Sequence, residues 1–232
     1  MKTVIQTLSG FCLVFFTSGL FVNDLAAQET RVLDPFTGIG MGIGADVFYT
    51  PGNSHEIIIE GNSEDVKELV TRVEDGMLKL RYEDWNGHRS KLTIHITSRE
   101  LDEVSLSGSG TFRSEMPVGS EEMSISVSGS GTVFFSNLEV EEMNVKISGS
   151  GDAVIKNGNA EEADLKISGS GEFNAETFEV AEFSTAISGS GSCRITVTDE
   201  LAAKISGSGS VYYHGDPQIT STSSGSGKVR SL

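Results

Sequence analysis

Cysteine is nearly absent from this chain: only Cys12 and Cys193 occur among its 232 residues. Cys12 falls in an N-terminal apolar stretch, and the single thiol beyond it cannot close an internal disulfide. Stability must then come from a packed core. Basic residues are also scarce, with 17 Lys and Arg against 33 Asp and Glu and a net charge of −16. Such a chain repels phosphate backbones and anionic bilayers, which excludes nucleic acid as a partner. Beyond the N-terminal stretch no apolar run approaches the roughly 20 residues of a spanning helix, so no integral membrane segment is expected there. His55, His88, His95 and His214 lack metal-ligand spacing and companion cysteines. The calcium-binding nonapeptide and the clustered acids of polysaccharide-cleaving solenoids are missing too. The expectation is a non-enzyme with no catalytic residue, metal or cofactor.

The N-terminus reads as an export leader. Lys2 supplies a positive start, Leu8 to Val22 is almost wholly apolar, and Leu25-Ala26-Ala27 offers small residues ahead of Gln28. Residues 1–27 are read as a signal peptide, with an apolar run too short for a membrane anchor. Phe11 before Cys12 does not suit a lipoprotein site. Export to the periplasm, the outer surface or the medium is expected, with residues 28–232 as one domain.

The main signal is an internal repeat. Ser-Gly-Ser-Gly starts at Ser107, Ser128, Ser148, Ser168, Ser188, Ser206 and Ser224, at spacings of 18 to 21 residues. A flexible linker has this composition, but a linker has no reason to keep register with apolar columns. Leu106, Val127, Ile147, Ile167, Ile187 and Ile205 precede the copies, and Val104, Ile125, Val145, Leu165, Thr185 and Ala203 stand two residues earlier. Phe112, Val133, Ala153, Phe173, Cys193 and Val211 follow each final glycine by two. Polar residues alternate with these, the period of a strand with one buried face. A unit this short buries its apolar face only by stacking on its neighbours. It is also half the length of a propeller blade, which needs about 40 residues. The fold class expected is all-β: a right-handed parallel β-helix, its hand following from that of parallel crossovers.

Continuing the alternation through the tetrapeptide puts both glycines inward and both serines outward. Gly108 and Gly110, Gly129 and Gly131, Gly149 and Gly151, Gly169 and Gly171, Gly189 and Gly191, Gly207 and Gly209, and Gly225 and Gly227 are therefore structural, at a bend where side chains would clash.

Residues 106–232 hold the regular repeats, and residues 28–105 carry the same grammar with additions. Gly38 to Gly44, followed by Ala45 to Tyr49, reads as a degenerate turn that opens the solenoid. Ile57 to Ile59, Leu78 to Tyr82 and Leu92 to Ile96 read as strands. Between the first two, Ser63 suits an N-cap, Val66, Leu69, Val70 and Val73 fall on one helical face, and Gly76 suits the end. A short helix capping the open end is expected.

The glycine-rich start containing Gly38-Ile39-Gly40, the turn from Val73 to Leu78 and the serial Ser-Gly-Ser-Gly coils together resemble the head GIN domain family of putative auto-transporter adhesins. The resemblance spans residues 32–231. It implies a β-helical fold and an adhesive or envelope role, and it carries over no catalytic or ligand residue.

Among candidate sites, the pairs Glu121-Glu122, Glu141-Glu142 and Glu161-Glu162 recur with the repeat. They are read as solvated turns neutralised by the column Lys146, Lys166 and Lys204. Cys193 is read as core packing. Phe134, Val154 and Tyr212 face outward in one column with Arg113, Asn174, Arg194 and Arg230, and outward apolar residues on a solenoid mark partner contact. Phe134, Val154, Tyr212 and Arg194 are the partner-binding candidates. The function expected is binding of a cell-surface, glycan or protein ligand through an extended wall. A self-assembling envelope component, and thus a homo-oligomer, is the alternative, and a polysaccharide-active enzyme the third reading.

Overall fold

The computed structural model describes residues 26–83 and 89–232; the expected leader up to residue 25 and His88 lie outside the described residues. Chain order begins with β1 (Ala26–Val32), β2 (Gly38–Met41), β3 (Asp46–Pro51), β4 (Glu56–Asn62), α1 (Ser63–Glu68), β5 (Leu69–Glu74), β6 (Met77–Tyr82) and β7 (Thr93–Ser98). The repeats supply β8 (Glu103–Gly108), β9 (Thr111–Ser114), β10 (Val118–Gly129), β11 (Thr132–Phe135), β12 (Leu138–Gly149) and β13 (Asp152–Ile155). They continue through β14 (Gly158–Gly169), β15 (Glu172–Gly189), β16 (Ser192–Gly207), β17 (Ser210–His214), β18 (Gln218–Gly225) and β19 (Lys228–Ser231).

Each repeat makes one rung of a parallel β-solenoid. A leading strand ends on the tetrapeptide and a trailing strand starts after it. In β15 and β16 the trailing part of one rung runs into the leading part of the next. Rungs pair in register, so Val127 meets Ile147, which meets Ile167, then Ile187, then Ile205, as the repeat predicts. All five are buried, and each such side chain contributes about 1.5–3 kcal/mol relative to exposure. Near the N-terminal end larger rings fill the interior: Tyr49 and Phe112 lie 6.1 Å apart by ring centres, Phe112 and Phe135 5.5 Å. At the other end Ser221 and Ser223 occupy the apolar columns and are exposed, a polar finish of the kind terminal repeats need.

The tetrapeptide differs from the expectation at one glycine of each pair. Gly151 is buried and faces inward, as expected. Gly149 is only half-buried and sits at φ 114°, so it makes the bend itself and is not part of the inward column. The serines face outward.

The N-terminal third departs further. β2 and β3 form a rung that pairs in parallel with β8 and β9 on one side, as a degenerate turn should. They do not open the solenoid. β6 and β7 pair in parallel on their other side and form the outermost rung, although they come later in the chain. That end is covered by antiparallel strands, β5 on β6 and β4 then β1 on β7. The cap is thus made of strands, because an antiparallel neighbour satisfies the exposed edge groups directly. The helix is a single short stretch that joins β4 to β5. Asn62, not Ser63, caps it by accepting from the Glu64 N–H at 2.9 Å. Leu69, Val70 and Val73 belong to β5 instead. Asp75 and Gly76, both at positive φ, close the two-residue hairpin from β5 to β6.

Candidate functional site

The trailing strands build one wall whose inward residues are core and whose alternate residues face solvent. Register places His95 beside Phe48, Phe48 beside Arg113, Arg113 beside Phe134 and Phe134 beside Val154. The same row continues through Asn174, Arg194, Tyr212 and Arg230. This continuous outward ladder contains all four candidate residues. It brings Phe134 next to Val154 and Arg194 next to Tyr212, and Asn174 separates the two pairs.

Planar groups along the ladder stack on one another. The rings of Phe48 and His95 lie 5.3 Å apart and nearly parallel. The Arg113 guanidinium stands 4.3 Å from the centre of the Phe134 ring, and that of Arg194 5.3 Å from Tyr212. Carboxylates hold both arginines: Arg113 donates to Glu115 at 2.9 Å, and Arg194 pairs with Glu172 across one rung. Side chains held by such contacts lose less entropy on binding than free ones do. Phe48 is 36% exposed, and His95 beside it is exposed too.

The ladder is flanked by a mixed column. At Asp46 burial opposes ionisation, but hydrogen bonds from Lys91 at 2.7 Å and Thr111 at 2.5 Å outweigh it and hold the carboxyl below its ordinary range. Further along, Asp152 accepts from the Glu172 N–H at 3.1 Å. The acids of this column, Asp46, Asp152 and Glu172, stand beside the arginines of the ladder, so the wall carries both signs.

Phe48 and His95 are ladder members that the repeat does not disclose. Gly42-Ile43-Gly44-Ala45 stands where later rungs have Ser-Gly-Ser-Gly, with its glycines out of phase by one residue. Aligning Val47 on Phe112 places Phe48 outward, and its stacking partner follows from β7.

The remaining candidates resolve simply. Cys193 is fully buried between Phe173 and Val211, and burial pushes its thiol far above the ordinary range. The expected neutralisation of the glutamates by Lys146, Lys166 and Lys204 is not made. Glu142 and Lys146 lie four residues apart on one extended strand, about 13 Å at strand rise, and no ion pair joins the two groups among the described residues. Among the described residues no group of three or more His, Cys, Asp and Glu is placed to hold a metal, and no helix is long and apolar enough to cross a membrane.

With this geometry in hand, comparisons place the chain among known proteins. The family described as "Putative auto-transporter adhesin, head GIN domain" matches residues 35–217. A solved structure of a putative adhesin from Bacteroides fragilis is similar at a TM-score of 0.86 and 25% identity, over 90% of this chain and 98% of that one. A putative adhesin from Parabacteroides merdae is similar at 0.75 and 25% identity, covering 89% and 96%. A putative lipid binding protein from Parabacteroides distasonis, 23% identical with a TM-score of 0.73 over 89% and 96%, shares the fold. No curated protein matches the chain.

Proposed function

Because the chain belongs to the head GIN domain family of putative auto-transporter adhesins, we propose that it is an exported, non-enzymatic binding module that engages a surface ligand through the ladder from His95 to Arg230. The observation that carries this reading is the ladder itself. It is the wall on which outward aromatic and apolar side chains line up with guanidinium groups that carboxylates already hold in place. Arginine and aromatic residues dominate interface energetics when they are ordered in advance. The contacts run along the solenoid and do not converge on a pocket, so recognition is by many weak contacts, and display in several copies strengthens it.

Binding of the purified protein to glycan and extracellular-matrix arrays tests the proposal. The double substitution Phe134→Glu with Tyr212→Glu should lower binding at least tenfold while the melting temperature holds. Unchanged binding would remove the ladder from the mechanism. Turnover of a glycan that one acid substitution abolishes, with the fold intact, would replace the binding module by an enzyme.

A further inference from the structure

The leading wall carries two charged columns of opposite sign. Glu122, Glu142, Glu162, Glu182 and Glu200 stand in register on successive rungs along its edge. Lys146 and Lys166 stand in register with each other four residues further along their strands, and Lys204 follows after Ala186. All these charged side chains are exposed, and none makes an ion pair among the described residues. Like charges directly opposite on neighbouring strands are destabilising. The opposite columns make no contact ion pair with one another among the described residues, and their Cα positions lie about 13 Å apart along each strand, so both present exposed charge to a partner.

We infer that the leading wall is an interface for a second copy of this chain, paired side by side with solenoid axes parallel. A second copy is the partner whose charge spacing must match, since both columns share the rung repeat. Symmetry then selects the arrangement. A two-fold axis parallel to the solenoid lays the lysine column of one copy on the glutamate column of the other at the same rung: Lys146 on Glu142, Lys166 on Glu162, Lys204 on Glu200. A two-fold axis across the solenoid would set lysine on lysine. The parallel interface is isologous, so every pair occurs twice.

The column between the two charged ones suits close approach. Ser184 and Ala202 are small, and with Ala186 they leave a shallow depression between Lys166 and Lys204. Asp164 also lies in this column and would face its own copy across the axis, an unfavourable contact that gives the arrangement a distinct signature. The ladder lies on the other wall, so this inference and the proposed ligand contact fail independently.

Sedimentation velocity at about 0.15 M salt, where the mutual repulsion of two acidic molecules is screened beyond short range, reads the result. The wild-type protein should sediment as a dimer and dissociate at about 1 M salt, where screening reaches roughly 3 Å. The triple variants K146E/K166E/K204E and E142K/E162K/E200K should each be monomeric, and an equimolar mixture should recover a heterodimer. Asp164→Asn should tighten the wild-type dimer severalfold. Circular dichroism confirms that each surface variant folds. A wild-type protein that stays monomeric, or two variants that dimerise alone as well as mixed, overturns the inference. A monomer that binds heparin through the lysine column, and loses it in K146E/K166E/K204E, assigns the wall to a polyanion and overturns it equally.

Discussion

Gly149 rides so closely on Gly129 that a Cβ built on the former would stand 2.6 Å from the carbonyl oxygen of the latter. The contact recurs at the bend glycines from Gly129 to Gly225 but not at Gly108, where a Cβ would meet nothing closer than 3.8 Å, and at Gly149 it combines with a φ of 114° that a side chain resists. Gly149→Ala should therefore destabilise the protein by about 2 kcal/mol or more, from strain and overpacking together. Gly119→Ala is the control, because its Cβ would meet nothing closer than 3.8 Å and its backbone is ordinary. Denaturant melts of the two variants should differ clearly, and equal stabilities would contradict this account of the bend.

Ile167 lies 2% exposed between Ile147 and Ile187. Ile167→Asp would place an unpaired carboxylate in that column and should cost about 3–5 kcal/mol. An unaltered melting temperature would be incompatible with the stacked core.

The stacked rungs are legible in the amino-acid sequence alone, because period, alternation and glycine chemistry agree at each copy from Leu106 to Val211. The cap is not. Leu69, Val70 and Val73 satisfy a helical face as well as a strand, and the local pattern cannot choose between them. The Asp75-Gly76 hairpin signal favours the strand, since it leaves only two residues between Glu74 and Met77. Rung order is beyond local reading. Gly38 to Tyr49 and Leu78 to Ile96 have the same two-strand grammar, and only tertiary pairing decides which lies outermost. Most of the ladder is visible: Arg113, Phe134, Val154, Asn174, Arg194, Tyr212 and Arg230 follow from the repeat, whereas Phe48 and His95 sit on rungs without the tetrapeptide.

The Thr185 hydroxyl is buried in the same apolar column as Leu165 and Ala203 and has no hydrogen-bond partner among the described residues. A buried hydroxyl left unpaired carries its full desolvation penalty. Thr185→Val keeps the shape and removes that penalty, so it should raise stability by about 1 kcal/mol. Calorimetry of the variant checks the sign, and a lower melting temperature would mean the hydroxyl is satisfied in solution.

Cys193 should be inert in the folded protein, reacting with a thiol reagent only after denaturation. Its folded-state thiol is raised by burial above the ordinary 9.0. The unfolded chain therefore ionises first as pH rises, so this contribution to stability is complete below about pH 9 and declines above it. Cys193→Ala should flatten that decline; a stability profile identical to wild type from neutral pH to about pH 10 would deny the thiol its role.

The rung made by β2 and β3 lies between two rungs that the chain supplies later, and this bears on how the protein folds. In the repeats each new strand finds its partner about 20 residues back, so the stack grows by short loop closures of nearly constant cost. Gly38 must instead wait for both Met77 and Glu103. Non-local pairings of this kind raise contact order and slow folding. In a chain emerging from its N-terminus, β2 appears early but is locked on both sides only after β6 and β8 are in place. The repeats then extend from that completed end, each rung templated by the one before.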